Sequence, residues 1–133
     1  MSEPFNTPEA PVSWGELIDK ITILEIKSVR MTAPQAIANV NVELHLLNGK
    51  AQAMLAARSD VVRIKQELTV VNESLWDIED KIREKEAVND FGEEFIALAR
   101  AVYKTNDHRA AIKKEINNIL QSKLVEEKSY AET

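Results

Sequence analysis

A chain of 133 residues, 44% hydrophobic and 29% charged, is long enough to bury the core of one domain and too apolar to remain disordered. Its net charge of −5 argues against a general nucleic-acid binder, whose footprint is a basic excess, and without cysteine it has no disulfide and no thiolate site. No apolar run approaches bilayer-spanning length and the N-terminus has neither region of a signal peptide, so the expectation is a cytoplasmic protein without a membrane anchor.

Residues 1–12 contain Pro4, Pro8 and Pro11 and read as a flexible, extended arm. Ser13 with Glu16 has the spacing of a capping box. Leu17, Ile18, Ile21, Leu24 and Val29 then recur at helical spacing, which predicts a first helix to about Arg30. Ile23 and Ile26 fall opposite that stripe and are expected to be exposed. From Pro34 a second stripe runs through Ile37, Val40, Leu44, Leu47, Ala51 and Met54, and the same phase resumes from Val61 to Ile82. One unbroken helix of roughly fifty residues would be about 75 Å long, too long a rod for so small a domain to cover. Arg58 interrupts the stripe and Ser59-Asp60 can cap a new helix, so a hairpin broken near 57–60 is expected. Asp90 and Glu93 suggest a second capping box, followed by Phe91, Phe95, Leu98, Val102, Ile112, Ile116 and Ile119, with gaps at Thr105 and Arg109. Residues 123–133 read as a tail docked through Leu124 and Tyr130. With no strand signal, the expected fold is all-α: an antiparallel bundle of about four helices over residues 13–122.

Polar residues within the stripes mark the candidate site. Glu25 projects between Leu24 and Ile18, and none of its neighbours one turn away is cationic, so its partner must come from another helix. In the third helix Asn72, Trp76, Glu79 and Arg83 share one side; in the fourth Asn106, Arg109 and Lys113 interrupt the apolar sector, with Tyr103 alongside. If these seams meet, the nine residues line a cavity for a small anionic molecule, with guanidinium groups holding a phosphate or carboxylate and aromatics forming a flat wall. The competing expectation is that the same charges pair with one another and fix helix register without binding anything. His45 and His108 lie off the stripes without a second ligand nearby, so neither a metal nor a cofactor is expected.

Three longer segments, "PVSWGELIDKITILEIK", "VNESLWDIEDKIR" and "FIALARAVYKTNDHRAAIKKEIN", with "EEKSY" beyond them, resemble a small bacterial family of helical proteins labelled as a domain of unknown function. The resemblance spans Pro11 to Tyr130. It marks Glu16, Asp19, Lys20, Asp80, Arg100 and Asp107 beside the nine candidate residues, and it implies no activity. The occurrence of relatives near glycan-assembly proteins adds one alternative, a helical interaction or dimerisation module linked to glycan assembly, docking a partner or a second copy through Ile23 and Ile26. A further alternative is an enzyme: "LIDKITILEIKSVR" resembles the first helix of chorismate mutases, and Glu25 or Glu79 would then act as acid or base.

Overall fold

The computed structural model describes residues 5–131, and among these only helices and their connections occur. There are four helices: α1 (Trp14–Arg30), α2 (Pro34–Ala57), α3 (Ser59–Ala87) and α4 (Glu93–Ile119). The expected all-α bundle is the observed one. α1 packs against all three other helices; α3 and α4 form an antiparallel pair; α2 lies along α1, touches α3 only lightly and does not reach α4. The core is built of Ile18 and Ile21 from α1, Ala51 from α2, Val61, Ile64, Leu68 and Val71 from α3, and Ile112 and Ile116 from α4.

Three neighbours around one helix bury a wider arc than a single stripe. Gly15, Asp19, Thr22 and Ile26 are buried in α1 together with Ile18, Ile21 and Leu24. The expectation for Ile26 is thereby corrected: it is buried, and Ile23 is half-buried beside it, both facing the α3–α4 side. Val29, expected in the core, is 83% exposed, because it lies near the end of α1 at the rim of a shallow groove with Lys65, Thr69 and Glu73.

The long apolar pattern is broken where the interrupting arginine predicted. Arg58 alone leaves the helical conformation, at φ −130° and ψ 87°, and its guanidinium grips the Asp60 carboxylate at 3.1 and 2.8 Å. Arg58 therefore holds the capping position, and Asp60 sits inside the first turn of α3, accepting from the Val61 N–H at 2.9 Å. The second capping box also fails. α4 starts at Glu93 after Gly92, and Asp90 instead accepts from the Gly92 N–H at 3.2 Å within the turn. Phe91 stays outside the helix and meets Phe95 edge-on at 5.2 Å.

Both α3 and α4 end in the same way, with a left-handed residue and two backward hydrogen bonds. Asn89 (φ 56°) donates to the Glu86 carbonyl, and Asp90 to that of Lys85. Gln121 (φ 50°) donates to Asn118, and Ser122 to Asn117. The second of these endings supports the start of α1, whose first amides lack partners in their own helix. The Trp14 N–H donates to Ser122 Oγ at 3.2 Å, the Gly15 N–H to Asn117 Oδ1 at 2.7 Å and the Glu16 N–H to Ser13 Oγ at 3.1 Å. Only half of the first capping box therefore forms, since the Glu16 carboxylate turns to another helix. The tail beyond Ser122 is not docked by Leu124 or Tyr130, which are exposed.

A Cβ on Gly15 would fall well inside contact distance of the Lys113 carbonyl oxygen and at 3.0 Å from Asn117 Oδ1. Backbone groups cannot give way as a flexible side chain can. Gly15→Ala should therefore cost about 2 kcal/mol in urea unfolding despite alanine's better helix propensity. Gln121→Gly should add about 1 kcal/mol, by relieving the left-handed conformation at the end of α4.

Candidate functional site

The most enclosed charge in the molecule is Asp19, 1% exposed at the centre of the α1, α3 and α4 contact. A carboxylate removed from water needs donors on both oxygens. Oδ1 accepts from Arg109 Nε at 2.9 Å and from Asn72 Nδ2 at 3.0 Å, and Oδ2 accepts from the Arg109 terminal nitrogen. Lys113 Nζ stands 3.8 Å away. Asn72 also donates to Thr22 Oγ1 at 2.8 Å, and that hydroxyl donates to the Asp19 carbonyl at 2.7 Å. No buried polar side-chain atom among the described residues lacks a partner.

Lys113 extends this network to the tail. Its ammonium donates to Glu16 at 2.8 Å and to Glu126 at 2.9 Å. Burial works to lower the Lys113 pKa, but the hydrogen bonds to Glu16 and Glu126 with the nearby Asp19 charge raise it overall. The hydrogen bond to Asp19 raises that of Arg109 against its own burial. Glu126 is held below the usual carboxylate range, chiefly by the Lys113 hydrogen bond.

Beside Asp19 opens a cleft of about 410 Å³ between α1, α3 and α4. Ile23, Ile26 and Leu75 supply its apolar surface and Trp76 an aromatic one. Asn72, Asn106 and Arg109 stand on one side, Lys27, Glu79 and Asp80 also line it. Arg30 lies 5.8 Å from the centre of the Trp76 ring, itself paired to Asp77 at 2.6 Å, which fixes the outer edge of the aromatic wall. A second, smaller cavity of about 240 Å³ lies under the tail, lined by Lys113, Lys114, Glu126 and Lys128 among others, and has no aromatic wall.

Of the nine candidate residues, Asn72, Trp76, Glu79, Asn106 and Arg109 meet in this cleft. The other four do not line it. Glu25 finds its cation in Lys65 of α3, at 2.8 Å on a different flank of α1. Arg83 is 79% exposed and pairs only with Glu79, at 3.6 Å one turn back on its own helix. Tyr103 is exposed, and Lys113 is turned toward Glu16 and the tail. The chemistry-bearing residue missing from the nine is Asp19, which the sequence reading met only through the family resemblance. Its spacing held a signal: Gly15, Asp19, Thr22 and Ile26 follow one another by four, three and four, a seam of small and polar residues beside the apolar stripe.

Among the described residues no group of three or more histidine, cysteine, aspartate or glutamate side chains could hold a metal ion, and no helix is long and apolar enough to cross a membrane. Residues 9–133 match the family of unknown function DUF6165, and the chain belongs to that family. No curated protein and no solved structure matches it.

Removing the Asp19 charge strands Arg109, whose carboxylate partner it is, whereas Lys113 keeps Glu16 and Glu126. Asp19→Ala should lower the unfolding free energy by about 3 kcal/mol, the low end for breaking a buried pair, because Arg109 keeps some contact with solvent. The double variant Asp19→Leu with Arg109→Met should recover part of that loss, a coupling that a double-mutant cycle in urea measures. For the tail, a carboxylate whose folded pKa is depressed stabilises the docked state above its unfolded pKa and loses that contribution as pH falls through the lowered value. NMR signals of residues 124–128 should thus move to free-chain positions only below the ordinary glutamate range, and Lys113→Met should release them at neutral pH.

Proposed function

We propose that the cleft between α1, α3 and α4 binds a small amphoteric metabolite: one with an apolar or flat portion, an anionic group and a cationic or hydroxyl-bearing end. The observation that carries this reading is the convergence of Trp76, Arg109 and the carboxylates Glu79 and Asp80 on one cleft of about 410 Å³, a volume within the range of small-molecule sites. The apolar portion would rest on Trp76, Leu75 and Ile26. The anionic group would lie toward Lys27 and Arg109. Asp19 and Asn106 engage three of the five guanidinium N–H groups of Arg109, so the side chain is oriented and still has donors to offer. Glu79 and Asp80 in the same lining favour an ammonium or hydroxyl and disfavour a ligand that is anionic throughout.

This refines the expectation of a purely anionic ligand. Arg83 and Lys113 do not reach the cleft, and Arg109 already carries a carboxylate partner, so the cations that a dianion cradle needs are engaged elsewhere. The chorismate-mutase-like alternative loses support for the same reason; of its two candidate acids or bases Glu25 is bound to Lys65 outside the cleft, and Glu79 alone lines it.

Thermal unfolding in the presence of amino acids, amino-sugar phosphates, simple phosphates and simple dicarboxylates tests the proposal. An amphoteric compound at a hundredfold excess over its Kd should stabilise the protein by about 2.7 kcal/mol and perturb tryptophan fluorescence. Trp76→Ala should remove the response, and Arg83→Ala should leave it intact. Equal stabilisation by every simple phosphate, or a response that survives Trp76→Ala, would exclude this cleft as the site.

A further inference from the structure

α2 exposes an apolar strip among polar residues such as Asn41, His45, Asn48 and Gln52. In 24 residues it carries two charges, Glu43 and Lys50, and both are paired within the chain, to Lys20 at 2.9 Å and to Glu9 at 3.3 Å. Its buried residues are Val40 and Ala51, and Ala51 belongs to the core. Directly opposite them runs a line of four residues spaced by four, three and four: Val42, Leu46, Gly49 and Ala53. Val42 is 64% and Leu46 54% exposed, and the other two are exposed as well. Nothing lies within 4 Å of where a Gly49 side chain would begin. Glycine in a helix interior is unfavourable, and no contact among the described residues explains it here.

We infer that this face of α2 is the contact surface for a second copy of the chain, packed antiparallel across a two-fold axis between Leu47 and Asn48. The order of sizes along the line is what makes the face self-complementary. The two bulky residues lie in the first half and the two small ones in the second. An antiparallel pair centred there sets Val42 against the partner's Ala53 and Leu46 against the partner's Gly49, large on small at each level. Charge agrees with shape. Glu43 and Lys50 lie on the same flank of the line, so the antiparallel pair brings Glu43 near the partner's Lys50 on that flank. A parallel pair would instead set Gly49 against Gly49, leaving a gap there, and would put Glu43 and the partner's Lys50 on opposite flanks. With the axis there, residues 38–57 of the two helices overlap; ~30 Å of a helix about 10–12 Å wide buries on the order of 700 Å² over both copies, below the range of stable interfaces, so the dimer is a weak and concentration-dependent one. The surface shares no residue with the ligand cleft, and the inference does not depend on the function proposed for that cleft.

Sedimentation of the full chain between 1 µM and 1 mM, together with cross-linking, tests it. The wild type should pass from monomer to dimer across that range. Leu46→Glu, at an exposed position, should weaken association at least tenfold with helicity unchanged. Gly49→Leu should weaken association similarly while raising the thermal stability of the monomer, which separates docking from folding. The chain has no cysteine, so introduced ones report geometry cleanly. Mixed Val42→Cys and Ala53→Cys chains should form the heterologous disulfide faster than Val42→Cys chains join each other. A wild type that remains monomeric at 1 mM, a dimer indifferent to Leu46→Glu, or preferential Val42→Cys self-linkage would each overturn the inference.

Discussion

A carboxylate sealed among three helices is the constraint around which this bundle is arranged. Asp19 can keep its charge in the interior only if α4 delivers Arg109 and α3 delivers Asn72 to the same point, so the positions of both helices relative to α1 follow from one side chain's need for donors. The apolar core beside it is tolerant by comparison. Ile18, Ile21, Leu68 and Ile116 would pack acceptably in more than one rotational setting, whereas the donors of Arg109 and Asn72 meet Asp19 in only one. Gly15 belongs to the same arrangement: α4 could not approach closely enough to present Arg109 and Asn117 if residue 15 carried a side chain.

The parts of this architecture that the sequence made legible are those a helical period determines. Helix number, the break at Arg58 and most core positions follow from apolar spacing, because a single helix with one covered face repeats every three or four residues. α1 departs from that pattern. With neighbours on three sides it buries Ile26 and Asp19 beyond the stripe, and near its end, where those neighbours no longer cover it, Val29 is left in solvent. Turn geometry is the second loss. Asp90 and Ser59 are good capping residues by type, yet Gly92 and Arg58 occupy the positions, since a few residues between helices leave the register of the cap to tertiary contacts.

Charge pairing was partly legible, and the reason is geometric. A helical wheel tells which way a side chain leaves its own helix but not which neighbour stands there. Glu25 was correctly short of a partner on α1, yet the cation that answers it is Lys65, on the flank away from Arg109. Arg83 and Glu79 found the local solution of a one-turn pair on an exposed surface, a contact of small energetic weight. The cluster expected from the sequence therefore separates into the Glu25–Lys65 pair, the exposed Arg83–Glu79 pair, the Asp19 network reaching Glu126, and the cleft containing Trp76.

That division has a consequence for the chemistry of the cleft. Asp19 compensates the charge of Arg109, and Glu79 and Asp80 outnumber Lys27 at the remaining wall, so no strong positive field is focused there. Under the proposed reading of the cleft, recognition would rest on directional donors held in place and on the apolar contact with Trp76, rather than on long-range attraction. Interactions of that kind act within a few ångströms and are screened little by salt, in contrast to an exposed basic patch. The same internal compensation orients Arg109 through Asp19 and Asn106, so little ordering of this side chain would remain to oppose the proposed binding. A buried acid that would compete with the anion of the proposed ligand is, by the same geometry, what makes the guanidinium a preformed donor.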